Sequence, residues 1–224
     1  MVLCDAWRME IGIIGGTGPA GRGLAVRAAA AGHVVTIGSR DAERASGVAA
    51  HLGAAHPERS LAISGGTNEE AAHTGLIVVA TPWEGAVATV AALRGALEGK
   101  VVVSMVNALT KEGREMLPLY PPRGSMAGQI AAALPASKVA AAFHHLPAKQ
   151  MEDLASGLEA DVLVCGDHDD ARAATIALID SIGGLRGIDA GSLAQASPIE
   201  AFTAVCITIN IRHKAHSTVR MAGI

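Results

Sequence analysis

The sequence predicts an α/β fold: a doubly wound, mainly parallel sheet with helices on both faces and a small helical extension at the C-terminus. Three observations predict it. Short β-type runs alternate with helix-type segments almost to the end of the chain. The earliest run, EIGIIG (10–15), leads straight into a glycine cluster and a helix-like stretch. At 224 residues, half of them hydrophobic, the chain suits one large domain with a modest appendage and can bury a full core.

Each element has its own justification. EIGIIG is rich in Ile and stops at glycine, as a buried parallel strand does. GRGLAVRAAAAG (21–32) has helical composition and ends at Gly32, a C-cap candidate. HVVTIGS (33–39) reads as the second strand and DAERASGVAAHLG (41–53) as the second helix, with Asp41 as its N-cap. SLAIS (60–64), LIVVATP (76–82), KVVVSMV (100–106), KVAAAFHH (138–145) and DVLVCGD (161–167) supply further strands. Between them TNEEAAHT (67–74), EGAVATVAALRGALEG (84–99), SMAGQIAAALP (125–135) and DDARAATIALIDSIG (169–183) read as helices. From Leu193 to about His216 the pattern is one long helix with no strand after it. This divides the chain into an N-terminal extension (1–8), a nucleotide-binding domain (9–192) and a C-terminal helix and tail (193–224).

Composition narrows the function. Aromatic residues are only 2% while Ala and Gly abound, which suits thin helices packed closely on a sheet. A net charge of −3 argues against a nucleic-acid partner. Mean hydropathy is positive, yet Gly, Pro or charge breaks every apolar run before about 18 residues, so no membrane span is expected. The opening MVLCDAWRME lacks the apolar centre of a secretory signal. Cys4, Cys165 and Cys206 form neither a disulfide framework nor a metal-type pair, and a reducing, cytoplasmic setting is expected. No metal is expected either. Asp167 and Asp170 in DHDD suit a helix N-terminus, and His213 and His216 lack a third ligand.

The glycine cluster carries the first functional signal. Gly16-Thr17-Gly18-Pro19-Ala20-Gly21 fits G-x-G-x-x-G, with a strand before it, a helix opening from it and a second strand after. The first glycine permits a tight turn, the second lets backbone approach a pyrophosphate, and the third packs helix on sheet. Backbone N–H groups and the positive helix end then face the phosphates, and Pro19 is at home in a first turn. The fold is therefore Rossmann-type. After the second strand, where an NAD site carries Asp or Glu, stand Ser39 and Arg40, with Arg44 a turn further on. Ser39 can donate a hydroxyl and Arg40 a paired, charge-assisted contact to a 2′-phosphate, so NADP(H) is expected.

Several segments together resemble the NADPH-dependent coenzyme F420 reductases. They are GGTGPAGRGLA, IGSRDAERA, ATPWEGAV, FHHLPAKQ, VCGDHDDARA and GLRGIDAGSL, in that order, and the likeness runs from Glu10 onward. The resemblance implies hydride transfer between NADPH and the deazaflavin F420 as co-substrate, with no metal and no flavin. It also implies that His144, Leu146 and Pro147 line the deazaflavin pocket. Where the family tends to carry a proline-bearing apolar segment, this chain has Asn107 and Ala108.

The residues themselves agree with two flat rings held face to face. No room remains for a large substrate domain, and ring-to-ring hydride transfer needs placement at roughly 3–3.5 Å and exclusion of water more than acid–base help. Thr81, Pro82 and Trp83 follow a strand and either border the nicotinamide or simply open the next helix. His144 is the one candidate for proton transfer, against a structural role. Arg212, Lys214 and Arg220 could receive an anionic acceptor tail. Two other readings remain at this stage: a reductase of another flat acceptor such as a flavin, quinone or imine, and a catalytically silent NADP(H) sensor. Partners are expected to be small molecules and a second copy of the chain, because AFTAVCITINI (201–211) is too apolar to lie bare.

Overall fold

Backbone groups in an apolar run must find partners, and here they do so side by side along one sheet. A computed structural model describes residues 8–224, so the expected extension at 1–8, Cys4 included, lies outside the described residues but for Arg8. Strands β1 (Glu10–Ile14), β2 (Val34–Ser39) and β3 (Ile63–Thr67) are joined by α1 (Pro19–Ala30) and α2 (Ala42–Ala55). Helix α3 (Asn68–Ala72) leads to β4 (Leu76–Val79), and α4 (Trp83–Ala92) with α5 (Arg94–Leu97) to β5 (Val101–Ser104). A hairpin of β6 (Leu109–Glu112) and β7 (Glu115–Pro118) stands apart as its own two-stranded sheet. Then come α6 (Met126–Ala133), β8 (Lys138–Ala141), α7 (Ala148–Glu152), β9 (Ala160–Gly166), α8 (Asp169–Ser181) and β10 (Leu185–Asp189). A 3-10 turn (Leu193–Gln195) opens into α9 (Ala196–His213).

The main sheet has the order β3-β2-β1-β4-β5-β8-β9-β10. Six strands run parallel; β9 pairs antiparallel with β8, and β10 runs parallel with β9. Period-two alternation splits the core into two layers. Ile11, Ile13, Val35, Ile37 and Val78 meet Leu24 of α1 and Leu178 and Ile179 of α8 on one face. Ile14, Ile77, Val79 and Val102 meet Val90 of α4 and Ile130 of α6 on the other. Both faces are covered, as strands with apolar residues at every position require. Among the described residues no helix is long and apolar enough to cross a membrane. Cys165 and Cys206 are free and buried.

The structure departs from the sequence reading in places that have physical causes. The third strand runs 63–67 rather than 60–64: it includes two glycines, and a side chain at Gly65 would sit 2.2 Å from the Ala45 backbone, so α2 packs directly on it. The expected helix 84–99 breaks at Leu93 into α4 and α5. The β6–β7 hairpin and β10 carried no clear strand pattern. Asp167 does not cap α8; it accepts from the Leu193 amide at 2.9 Å, while Asp170 pairs with Lys138. Asp41 does cap α2, accepting from the Arg44 amide at 3.0 Å.

Two buried ionisable groups fix the elements that border the site. Arg27 of α1 lies against α7 and donates to the carbonyls of Gln150, Met151, Asp153 and Ser156 at 2.7, 3.1, 2.8 and 3.1 Å. It thereby satisfies carbonyls at the end of a short helix that has few partners of its own. Glu200 of α9 accepts from the Met126 and Ala127 amides at 2.7 and 2.9 Å, joining α9 to the start of α6. Burial raises its carboxyl to about 7, although both amide donors pull the other way.

Replacing Arg27 with Ala is expected to lower the unfolding free energy in urea by about 3 kcal/mol, because several carbonyls lose a charged donor at once. Lysine, with one ammonium in place of the fork, should restore less than half; a loss under about 1 kcal/mol for Arg27→Ala would contradict this account. Glu200 predicts a pH dependence. Its folded carboxyl holds a proton up to about 7 against an ordinary 4.5, so stability falls as pH rises through that window and levels off above it. The contribution is on the order of 3 kcal/mol, and Glu200→Gln should flatten that part of a stability-against-pH curve whatever its absolute cost.

Candidate active site

The site begins where β1 stops. Gly15 takes φ +70°, the left-handed turn that lets the chain leave the sheet. The tight turn is thus made by Gly15, one residue before the first glycine of the fingerprint. Gly16 serves contact instead: its amide donates to Ile13 at 3.1 Å and Gly38 at 3.0 Å, and a Cβ on Gly21 would lie 2.6 Å from its Cα. Helix α1 starts from Gly18 with Pro19 in its first turn and no side-chain cap, so its leading N–H groups remain for an anion. A Cβ at Gly18 would meet nothing within 4 Å. The space above it belongs to a cleft of about 540 Å³.

Of the residues expected to hold NADP(H), the cleft is lined by Thr17, Gly18, Ala20, Ser39, Arg40, Arg44, Thr81 and Pro82. Gly16 and Gly21 lie beneath it as spacers. Trp83 opens α4 and packs on the core layer behind, outside the cleft wall. Ser39 is nine-tenths buried; its hydroxyl oxygen accepts from the Asp41 amide at 3.1 Å and keeps its hydrogen to donate. Arg40 and Arg44 are exposed and have no ion pair among the described residues, since Asp41 is occupied as a helix cap. A neighbouring groove of about 530 Å³ shares Ser39, Arg40 and Asn68 and runs on to Ala88 and Ala92 of α4. Thr81 Oγ1 is buried and meets no partner.

Asn68 escaped the sequence reading. Its Oδ1 accepts from the Gly15 amide at 3.0 Å, bracing the turn from α3. The T-x-x-E capping box of Thr67 and Glu70 surrounds it, so the segment read as a plain helix start.

A second cavity, about 310 Å³, meets the first at Ala20, which lies in the wall of both. Asn107, His144, Leu146 and Pro147 line it, and Thr203, Cys206, Ile207 and Asn210 of α9 close it. The sequence marked α9 only by its apolar run. Ala108 turns into the core layer and Lys214 ends α9 with φ +51°, so neither lines the cavity. Arg212 and Arg220 are paired with Glu115 and Glu159. The basic C-terminus is thus largely neutralised within the chain.

Phe143, ahead of His144, adopts φ +67°, costly for a bulky residue and held by its surroundings. His144 is 6% exposed; its Nδ1 lies 3.0 Å from Asn107 Oδ1. Burial, then the neighbouring His145, lowers its pKa to about 3, so the ring is neutral at ordinary pH. His145 bonds the Ile199 carbonyl of α9 through Nε2 at 2.8 Å and meets Phe202 edge-on at 5.3 Å. Burial lowers its pKa too. The cavity therefore combines apolar walls with uncharged imidazoles, beside a cleft whose far end carries two arginines. Among the described residues no group of three His, Cys, Asp or Glu is placed to hold a metal ion.

The chain is similar to known proteins over nearly its whole length. The sequence profile described as "NADP oxidoreductase coenzyme F420-dependent" matches residues 10–108. The F420-dependent NADP reductase of Methanocaldococcus jannaschii is 37% identical over 94% of this chain and 96% of its own length. That of Methanothermobacter marburgensis is 35% identical over 96% and 97%. A crystal structure of a protein from Arthrobacter sp. FB24 superposes with a TM-score of 0.79 at 27% identity, covering 95% of this chain and all of that one. The chain belongs to the family of F420-dependent NADP reductases.

Proposed function

We propose that this protein transfers a hydride between NADPH and coenzyme F420, reversibly. One observation carries the site assignment: two cavities of different character share Ala20 as a common wall. The first offers an uncapped helix start, an open space over Gly18 and the Ser39–Arg40 pair, a set suited to a pyrophosphate and a 2′-phosphate. The second is neutral and closed by α9, suited to a flat ring. When bound, NADPH supplies the hydride and the deazaflavin accepts it, with one proton taken from solvent to complete its reduction.

The chain's own residues do the rest. Thr17, Gly18 and Ala20 hold the phosphates, Ser39 and Arg40 select the phosphorylated ribose, and Arg44 adds charge one turn away. Thr81, with its unmatched buried hydroxyl, and Pro82 border the donor ring. Asn107, His144, Leu146 and Pro147 shape the acceptor side. A proton-donor role for His144 is not favoured, because a ring with a pKa near 3 has no proton to spare at neutral pH. Membership of the family also disfavours the silent sensor and the alternative flat acceptors.

The protein is further proposed to work as a homodimer through α9. Phe202, Val205 and Ile209 are spaced three and four apart and remain exposed by 43, 49 and 41% among the described residues, a partly bare apolar stripe. The adjoining face of the same helix closes the acceptor cavity.

The deciding assay follows loss of the deazaflavin absorbance with NADPH and with NADH. Turnover should be strong with NADPH and weak with NADH, and NADPH oxidation without bleaching of F420 would refute the proposal. Arg40→Ala should raise KM for NADPH roughly 10- to 100-fold, the worth of a charge-assisted contact, while leaving NADH within about twofold. For the dimer, Phe202→Glu with Ile209→Glu should halve the mass measured by light scattering; a wild-type monomer at micromolar concentration would end that reading.

A further inference from the structure

The contact between Asn107 and His144 settles which nitrogen of the histidine carries its hydrogen. Asn107 Nδ2 lies 3.3 Å from the His144 carbonyl oxygen. A carbonyl oxygen only accepts, so the donating end of the amide must face it. Oδ1 then faces the ring, 3.0 Å from Nδ1. Because Oδ1 only accepts, Nδ1 must carry the hydrogen and, in the neutral ring, Nε2 must be a bare acceptor. Thr203 Oγ1 of α9 donates to the same His144 carbonyl at 3.4 Å, so three elements converge on this residue.

Nε2 is buried and has no partner, and only Thr81 Oγ1 shares that condition among the described residues. A buried acceptor left unmatched is costly and calls for an explanation. Both orphans belong to residues in the walls of the adjoining cavities. We infer that Asn107 is a positioning residue of the acceptor cavity: it fixes His144 in the Nδ1–H tautomer, leaving Nε2 to accept from a ring N–H of the bound acceptor. The cavity then selects a flat heterocycle with an N–H on the edge it presents to His144. A ring with only acceptor atoms there would set one lone pair against another. This rests on the proposed function for the identity of the acceptor, but the tautomer does not.

The test uses full-length protein labelled with 15N-histidine, with His144 assigned by comparison with His144→Gln. The wild-type ring should be protonated at Nδ1 and bare at Nε2 throughout pH 5–8. Saturating oxidised F420, with NADP⁺ present, should move the Nε2 resonance toward the hydrogen-bonded position. Asn107→Leu should let the other tautomer appear and raise KM for F420 roughly 10-fold, the worth of one buried hydrogen bond, with NADPH affinity unchanged. A ring protonated at Nε2, an Nε2 signal unmoved by F420, or a KM within twofold would each overturn the inference. Should Asn107→Leu fail to fold, the wild-type spectra still decide. A wild-type protein showing the expected tautomer but no reduction of F420 would instead refute the proposed function.

Discussion

The site depends on how closely α1 approaches the end of β1. At Gly16 and Gly21 the two backbones come within the radius of a missing Cβ, and any side chain at Gly21 would drive the helix away. That approach brings the first turn of α1 up to the sheet edge, where its unpaired amides face the cleft. It also lets the Gly16 amide donate to both Ile13 and Gly38, tying the ends of β1 and β2 together. Asn68 adds a third tie from α3 through the Gly15 amide. One turn thus fixes three elements, and Ala20 stands in the wall of both cavities as a consequence.

Sheet order explains where everything else arrives. β1 has β2 on one side and β4 on the other, so successive connections leave in opposite directions and open a crevice at the carboxyl ends. Thr81 follows β4, Asn107 follows β5 and His144 follows β8, all strands parallel to β1. β9 runs the other way, so its end cannot complete the crevice. The chain supplies the missing wall with α9, fastened by Glu200 to α6 and by His145 to the Ile199 carbonyl. The reversed strand and the terminal helix are two parts of one solution.

Legibility in the sequence followed the range of the forces involved. Strands buried on both faces announced themselves as apolar runs, and the fingerprint was plain because G-x-G-x-x-G sits in its proper strand–helix context. The end of β2 at Ser39 and the Asp41 cap were readable because both are set by neighbouring residues. What stayed hidden was set by partners distant in sequence. Asn68 acts on Gly15 across 53 residues, and the Asn107–His144 contact spans 37. The β6–β7 hairpin has no strand-like composition, yet Thr208 of α9 accepts from the Met116 amide at 2.9 Å and Arg212 pairs with Glu115. That same pairing is why the basic C-terminus, read from composition as a receptor for an anion, is largely spent within the chain.

The distribution of charge across the two cavities follows from the chemistry they would share. An anionic dinucleotide end can be held by exposed arginines, because water screens their mutual repulsion and the fixed amides supply direction. A hydride moves best between rings from which water is shut out, and there an unpaired charge would be costly. The acceptor cavity accordingly carries its polarity as neutral dipoles: an amide, two imidazoles lowered in pKa by burial, and a hydroxyl from α9. Neutral groups of this kind recognise a ring by the direction of their hydrogen bonds alone. Direction must then be set by a partner, and for His144 that partner is Asn107, whose Oδ1 lies 3.0 Å from Nδ1.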